Sequence, residues 1–112
     1  MVIGLEKIAR IELLKDIYGS LLTKKQQEVL ELFYDQDFSL GEIAEELCVS
    51  RQAVFDTLGR GEKLLEHYEV ALGLLSRLEQ EKKMRELLRQ ALKKKDWSLV
   101  ADVIDNLTAD EL

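Results

Sequence analysis

Proline is absent from all 112 residues. The residue that most strongly breaks a helix is therefore missing, while the good helix formers Leu, Glu, Lys and Ala abound. Cysteine is nearly absent. Cys48 stands alone, which excludes an internal disulfide and fits a reducing cytoplasm. Histidine occurs once, as His67. One His and one Cys without a CxxC or HxxxH partner do not build a zinc site. The sequence has no glycine-rich phosphate loop, nucleophile motif or pair of carboxylates in apolar surroundings. No enzyme activity and no cofactor are expected. Long apolar runs are also missing. The longest, Val70 to Leu75, is far too short to cross a bilayer. The opening MVIGLEKIARIELL places Glu6, Lys7, Arg10 and Glu12 among its apolar residues, unlike a signal or transit peptide. No membrane partner is expected.

What is present describes a globular chain. Hydrophobic residues make up 46% and charged residues 34%, outside the disordered class. The net charge of −6 is unevenly spread. Residues 39–68 carry 3 basic and 6 acidic groups, residues 77–95 carry 8 basic and 3 acidic, and residues 96–112 carry 5 acidic and none basic. The most positive segment is a candidate nucleic-acid patch, although a solvated helix face explains it more simply.

Helical periodicity runs throughout. A first helix is expected from about Gly4 to Tyr18, with Ile8, Ile11, Leu14 and Tyr18 inward and Gly19 as a left-handed cap. Thr23 and Gln26 form a capping box for a second helix, whose apolar face is Val29, Leu30, Leu32, Phe33 and Tyr34. Asp35-Gln36-Asp37 stops it. Ser39 and Glu42 form a second box, before Leu40, Ile43, Ala44 and Leu47. Ser50 caps a fourth helix with Ala53, Val54 and Leu58 inward. Gly59 and Gly61 are expected to kink it or to mark a close contact, since each costs roughly 1 kcal/mol relative to Ala. Leu64 to Leu78 supply one further stripe and Met84 to Leu92 another. Asp96 is expected to cap a last helix with Leu99, Val100, Val103, Ile104 and Leu107 inward, and the tail TADEL to fray.

The stretch SLGEIAEELCVSRQAVFDTL, Ser39 to Leu58, is the most informative. Two short helices flank Cys48-Val49-Ser50, and such a tight turn makes them cross steeply. Ala44 permits a close crossing and Val49 plugs the angle. The second helix then projects its N-terminal end, which carries Arg51 and Gln52. Arg bonds guanine and Gln adenine in bidentate fashion. Thr57, Arg60 and Lys63 are candidates for phosphate contacts.

These residues, with LLTKKQQEVLELFYDQDFS upstream and GEKLLEHYE downstream, resemble the YlxM-type helix-turn-helix proteins of Gram-positive bacteria. The segment is similar more broadly to the fourth region of sigma factors. The turn position that often holds Gly is Cys48 here, a departure from the family pattern, since positive φ is costly for a non-Gly residue. The resemblance, which covers roughly Leu21 to Leu75, implies an all-α, DNA-binding-like module; from the helical pattern, residues 1–75 are expected to form an N-terminal helix plus the helix-turn-helix core and residues 76–112 a helical extension that packs or oligomerises. It implies a DNA-binding regulator, with DNA ahead of RNA, and a link to the signal recognition particle pathway. The alternative is an adaptor whose acidic Glu42, Glu45 and Glu46 grip a basic protein of that particle. A homodimer is expected from the two C-terminal apolar stripes.

Overall fold

A computed structural model describes residues 4–109, with side chains through Leu107. Among these residues every regular element is helical: α1 Leu5–Tyr18, α2 Lys24–Leu30, α3 Leu40–Leu47, α4 Arg51–Leu72, α5 Leu74–Lys93 and α6 Trp97–Ala109. The chain divides into two compact units, Met1–Leu75 and Ser76–Leu112.

In the first unit α4 touches each of α1, α2 and α3. The core is built where the apolar periodicity of those helices meets. Ile11, Leu14, Tyr18, Val29, Leu30, Ile43, Val54, Leu58 and Leu65 are buried in one cluster. Both capping boxes form, with Thr23 and Gln26 exchanging bonds of 3.1 Å and Ser39 and Glu42 bonds of 3.0 and 3.1 Å. Ser50 Oγ accepts from the Ala53 N–H at 3.0 Å. Each box satisfies two backbone donors that a helix start otherwise leaves open.

Three expectations are corrected. Gly19 is right-handed, at φ −55°, and leads into a 3₁₀ turn, Gly19–Leu21. That tightened turn delivers Leu22 into the core instead of ending the chain's direction abruptly. The fourth helix is not interrupted at its glycines. It continues for 22 residues because neighbours pack along it and offset the intrinsic cost of glycine. Gly61 is instead a close contact: a Cβ there would lie 3.1 Å from Leu30 Cδ1. The stripe from Leu64 to Leu78 does not belong to one helix. Gly73, at φ 64°, ends α4, and α5 starts at Leu74.

A polar cluster fixes that break. The Tyr18 hydroxyl donates to Glu69 Oε1 at 2.7 Å and accepts from the Leu74 N–H at 3.0 Å. Glu69 Oε1 also accepts from the Leu75 N–H at 2.9 Å. The open donors at the start of α5 are thus satisfied by core residues. Burial and Glu69 both push the Tyr18 phenol above its ordinary value. Earlier in the unit, α2 widens into a π-helical turn at Glu31–Asp35, and Asp37 then takes φ 61°. Within that turn Tyr34 is buried and its hydroxyl donates to Glu62.

The second unit is a helical hairpin. Lys95, at φ 54°, turns the chain, and Asp96 Oδ1 accepts from the Leu99 N–H at 3.2 Å, as expected of a cap. Leu107 lines a groove with Glu81, Met84, Arg85 and Leu88, so α6 runs back along α5. Ala91 and Val103 are buried, whereas Ile104 and Leu107, expected inward, are exposed. Within this unit, two helices leave no third element to cover the flanks of the α6 apolar face. Of the tail TADEL, Thr108 and Ala109 belong to α6 and the rest lies outside the described residues.

Two measurements check this packing. Nothing lies within 4 Å of a Cβ at Gly59. Gly59→Ala is expected to raise stability by about 0.5–1 kcal/mol, the helix-interior gain over glycine. Gly61→Ala should fall below it in urea unfolding, because Leu30 is fully buried and has little room to yield. The second concerns pH. Arg10 grips Glu66 with bonds of 2.6 and 2.8 Å, which hold the Glu66 carboxyl below the usual carboxylate range. A lowered folded pKa adds stability above the unfolded value and loses it as pH falls through the folded one. Both side chains are more than a third exposed. Arg10→Ala should therefore cost no more than about 1 kcal/mol at pH 7. The difference from wild type should vanish in acid.

Candidate nucleic-acid interface

The turn between α3 and α4 closes as its sequence requires. Cys48 adopts the left-handed region, at φ 56° and ψ 44°. The Val49 N–H then reaches back to the Ala44 carbonyl at 3.0 Å, the pattern of a Schellman cap. Val49 is half-buried and packs against the core cluster. Ser50 caps α4 immediately afterwards. The first turns of α4 are held at the surface by Val54 and Leu58, which are buried beneath them.

A rotation of 100° per residue places Gln52, Asp56, Gly59 and Lys63 along one outer strip of α4. Gln52, Asp56 and Lys63 are exposed, and so are Arg51 and Arg60. From Gln52 to Lys63 the strip is about 16 Å long at the ordinary helical rise. Arg51 starts the helix, and its Nε lies 3.9 Å from the position of a Cβ on Gly41, at the start of α3. Arg60 flanks the strip. Thr57 is not brought together with these residues. It is half-buried and rotated roughly 140° from Gln52. Phe55 is 50% exposed beside Gln52. Sequence reasoning set it to one side of the core. Its spacing of three from Gln52, off the Val54–Leu58 stripe, is the signal that places it near Gln52.

The charges differ from a simple count over the segment. Two of its six acids point toward α1. Glu62 pairs with Lys7 at 3.2 Å and accepts from Tyr34, and Glu66 pairs with Arg10. Glu42 serves the α3 cap: the Ser39 N–H donates to its carboxylate and holds it below the usual range, while the Glu42 N–H donates to the Ser39 hydroxyl. Gln52 Nε2 donates to Asp56 Oδ1 at 3.0 Å, so Asp56 orients the Gln52 amide across one helical turn. Arg51, Arg60 and Lys63 make no ion pair among the described residues. The outer side of α4 therefore carries three unpaired cations against the single carboxylate of Asp56.

Cys48→Gly tests the strain in the turn. Glycine adopts the left-handed region without the Cβ penalty of roughly 1–2 kcal/mol. The variant should melt higher by a few degrees, measured by circular dichroism.

Comparison with known proteins agrees with this geometry. Residues 5–103 match the UPF0122 family, described as "Putative helix-turn-helix protein, YlxM / p13 like". The UPF0122 protein YlxM of Bacillus subtilis is 51% identical over 87 residues, covering 78% of this chain and 79% of its own length. A UPF0122 protein of Desulforamulus reducens is 54% identical over 79 residues, covering 70% and 68%. One from Listeria innocua is 44% identical over 104 residues, covering 91% and 94%. With a match across nearly all of its length and a formed α3–turn–α4 pair, the chain belongs to the UPF0122 family of YlxM-like helix-turn-helix proteins.

Proposed function

We propose that the chain is a cytoplasmic nucleic-acid-binding regulator, DNA being the preferred ligand, and not an enzyme. The observation that supports it most is the outer side of α4, where Arg51 and Gln52 open the helix and the exposed Arg60 and Lys63 make no ion pair among the described residues. In this reading Gln52, oriented by Asp56, and Arg51 contact base edges in the major groove. Phe55 offers an apolar contact to a thymine methyl. Arg60 and Lys63 bond phosphates. Thr57 contributes through packing, given its half-buried position. A homodimer presents two such helices to successive turns of DNA, roughly 34 Å apart.

A second reading draws on α3. Glu45 and Glu46 are exposed on it beside Glu42 and make no ion pair among the described residues. That row suits a basic protein partner and would make the chain an adaptor in the signal recognition particle pathway.

Selection from fragmented genomic DNA at low and moderate salt separates the two. The wild type should enrich a discrete site and Arg51→Ala/Gln52→Ala should not, with nearly unchanged melting. Arg60→Ala/Lys63→Ala should weaken binding evenly across sequences and reduce the salt slope by about 2. Failure to enrich any site at any salt would overturn the first reading. Binding of a purified basic particle protein, abolished by Glu45→Lys/Glu46→Lys, would establish the second.

A further inference from the structure

One carboxylate stands among the cations on the outer side of α4, and it neither caps a helix nor ties α4 to a neighbour. Glu42, Glu62 and Glu66 each do one or the other. Asp56 makes no ion pair among the described residues, although Arg60 follows it at the i,i+4 spacing that favours one. It is the sixth residue of α4, beyond the first turn in which the helix dipole favours an acid. Beside a phosphate backbone its charge opposes binding. Its described partner is the Gln52 amide, whose Nε2 donates to Asp56 Oδ1 at 3.0 Å.

That bond decides which way the amide faces. A carboxylate only accepts hydrogen bonds, so Gln52 has to turn its NH2 toward Asp56. The flipped amide would set Oε1 against Oδ1, two acceptors with no proton between them. An unrestrained glutamine offers two N–H donors and an acceptor in either orientation. With one N–H bound to Asp56, Gln52 keeps one N–H and Oε1. Adenine presents the complement in the major groove, an N7 acceptor beside an N6 donor. Guanine presents two acceptors, N7 and O6, and bidentate contact with it needs both N–H groups. Thymine and cytosine each offer the amide a single partner.

We propose, on the reading of α4 as a DNA interface, that Asp56 is a positioning residue: it makes Gln52 select adenine over guanine while lowering affinity for the phosphate backbone. The two effects separate in measurement. The charge of Asp56 acts on every sequence alike and fades as salt rises. The orientation of Gln52 acts at one base pair.

Fluorescence anisotropy of the full chain tests this on the duplex that wild type enriches from genomic fragments and on its single-pair variants. Gln52→Ala identifies the base pair that Gln52 reads, as the position where preference is lost. There wild type should bind the adenine duplex about tenfold more tightly than the guanine duplex, within the range of one bidentate contact. Asp56→Asn keeps the side-chain size but donates as well as accepts, so both orientations of the Gln52 amide are admitted. It should bring the ratio down to about twofold or less and bind every duplex more tightly, by more at low salt. In the Gln52→Ala background, Asp56→Asn should leave the base ratios unchanged. A role in helix stability alone would lower the melting temperature and leave the ratios intact. An adenine preference that survives in Asp56→Asn, or a wild-type preference for guanine at that pair, would overturn the proposal and spare the reading of α4. So would loss of a cytosine preference at a neighbouring pair with the adenine preference kept, because Asp56 would then read a base itself. A wild type that enriches no site, or a Gln52→Ala protein with unaltered preferences, overturns the base-reading role of Gln52 and this role of Asp56 together.

Discussion

The approach of α4 to α2 at Gly61 governs the first unit. A Cβ at Gly61 would lie 3.1 Å from Leu30 Cδ1, so the two helices approach so closely that a larger residue there needs Leu30 to give way. With that contact made, Val29, Leu30, Leu58 and Leu65 share one interior, and α1 covers it through Ile11, Leu14 and Tyr18. The same long helix then carries Arg51 and Gln52 outward at its other end. The pairing that stabilises the core thus aims the first turn of α4, about 15 Å away along a stiff helix.

Acidic side chains are used economically around this frame. Glu42 caps α3, Glu62 and Glu66 bind α1 and Tyr34, and Glu69 holds the start of α5 with Tyr18. Each has a local structural task away from the outer strip of α4. A chain with net charge −6 can in this way leave Arg51, Arg60 and Lys63 facing solvent with one carboxylate among them. Net charge describes the whole surface, whereas binding responds to the local field within a Debye length of about 8–10 Å.

The second unit contrasts with the first. The first unit supplies three helices to surround α4, while α5 and α6 have only one another within their unit.

Much of the fold was legible in the sequence, because its signals are local. Thr23 with Gln26, Ser39 with Glu42, Ser50 and Asp96 mark helix starts through bonds that span only three residues. The turn at Cys48-Val49-Ser50 and the buried positions of α1 to α4 follow from periodicity in the same way. Features that depend on distant neighbours were decided by tertiary structure. Gly59 and Gly61 look equivalent as helix breakers, yet one faces open space and the other meets Leu30. Gly73 lies inside an apparently continuous apolar stripe, and Tyr18, 55 residues earlier, accepts the N–H that the break exposes. The candidate interface shows the same division. The exposure of Arg51 and Gln52 follows from their place after the cap, whereas the half-buried Thr57, the diversion of Glu62 and Glu66 toward α1 and the exposure of Phe55 depend on which faces of α4 its neighbours cover. Composition and short-range spacing determined which helices form. Only packing determined which of their side chains remained free to act.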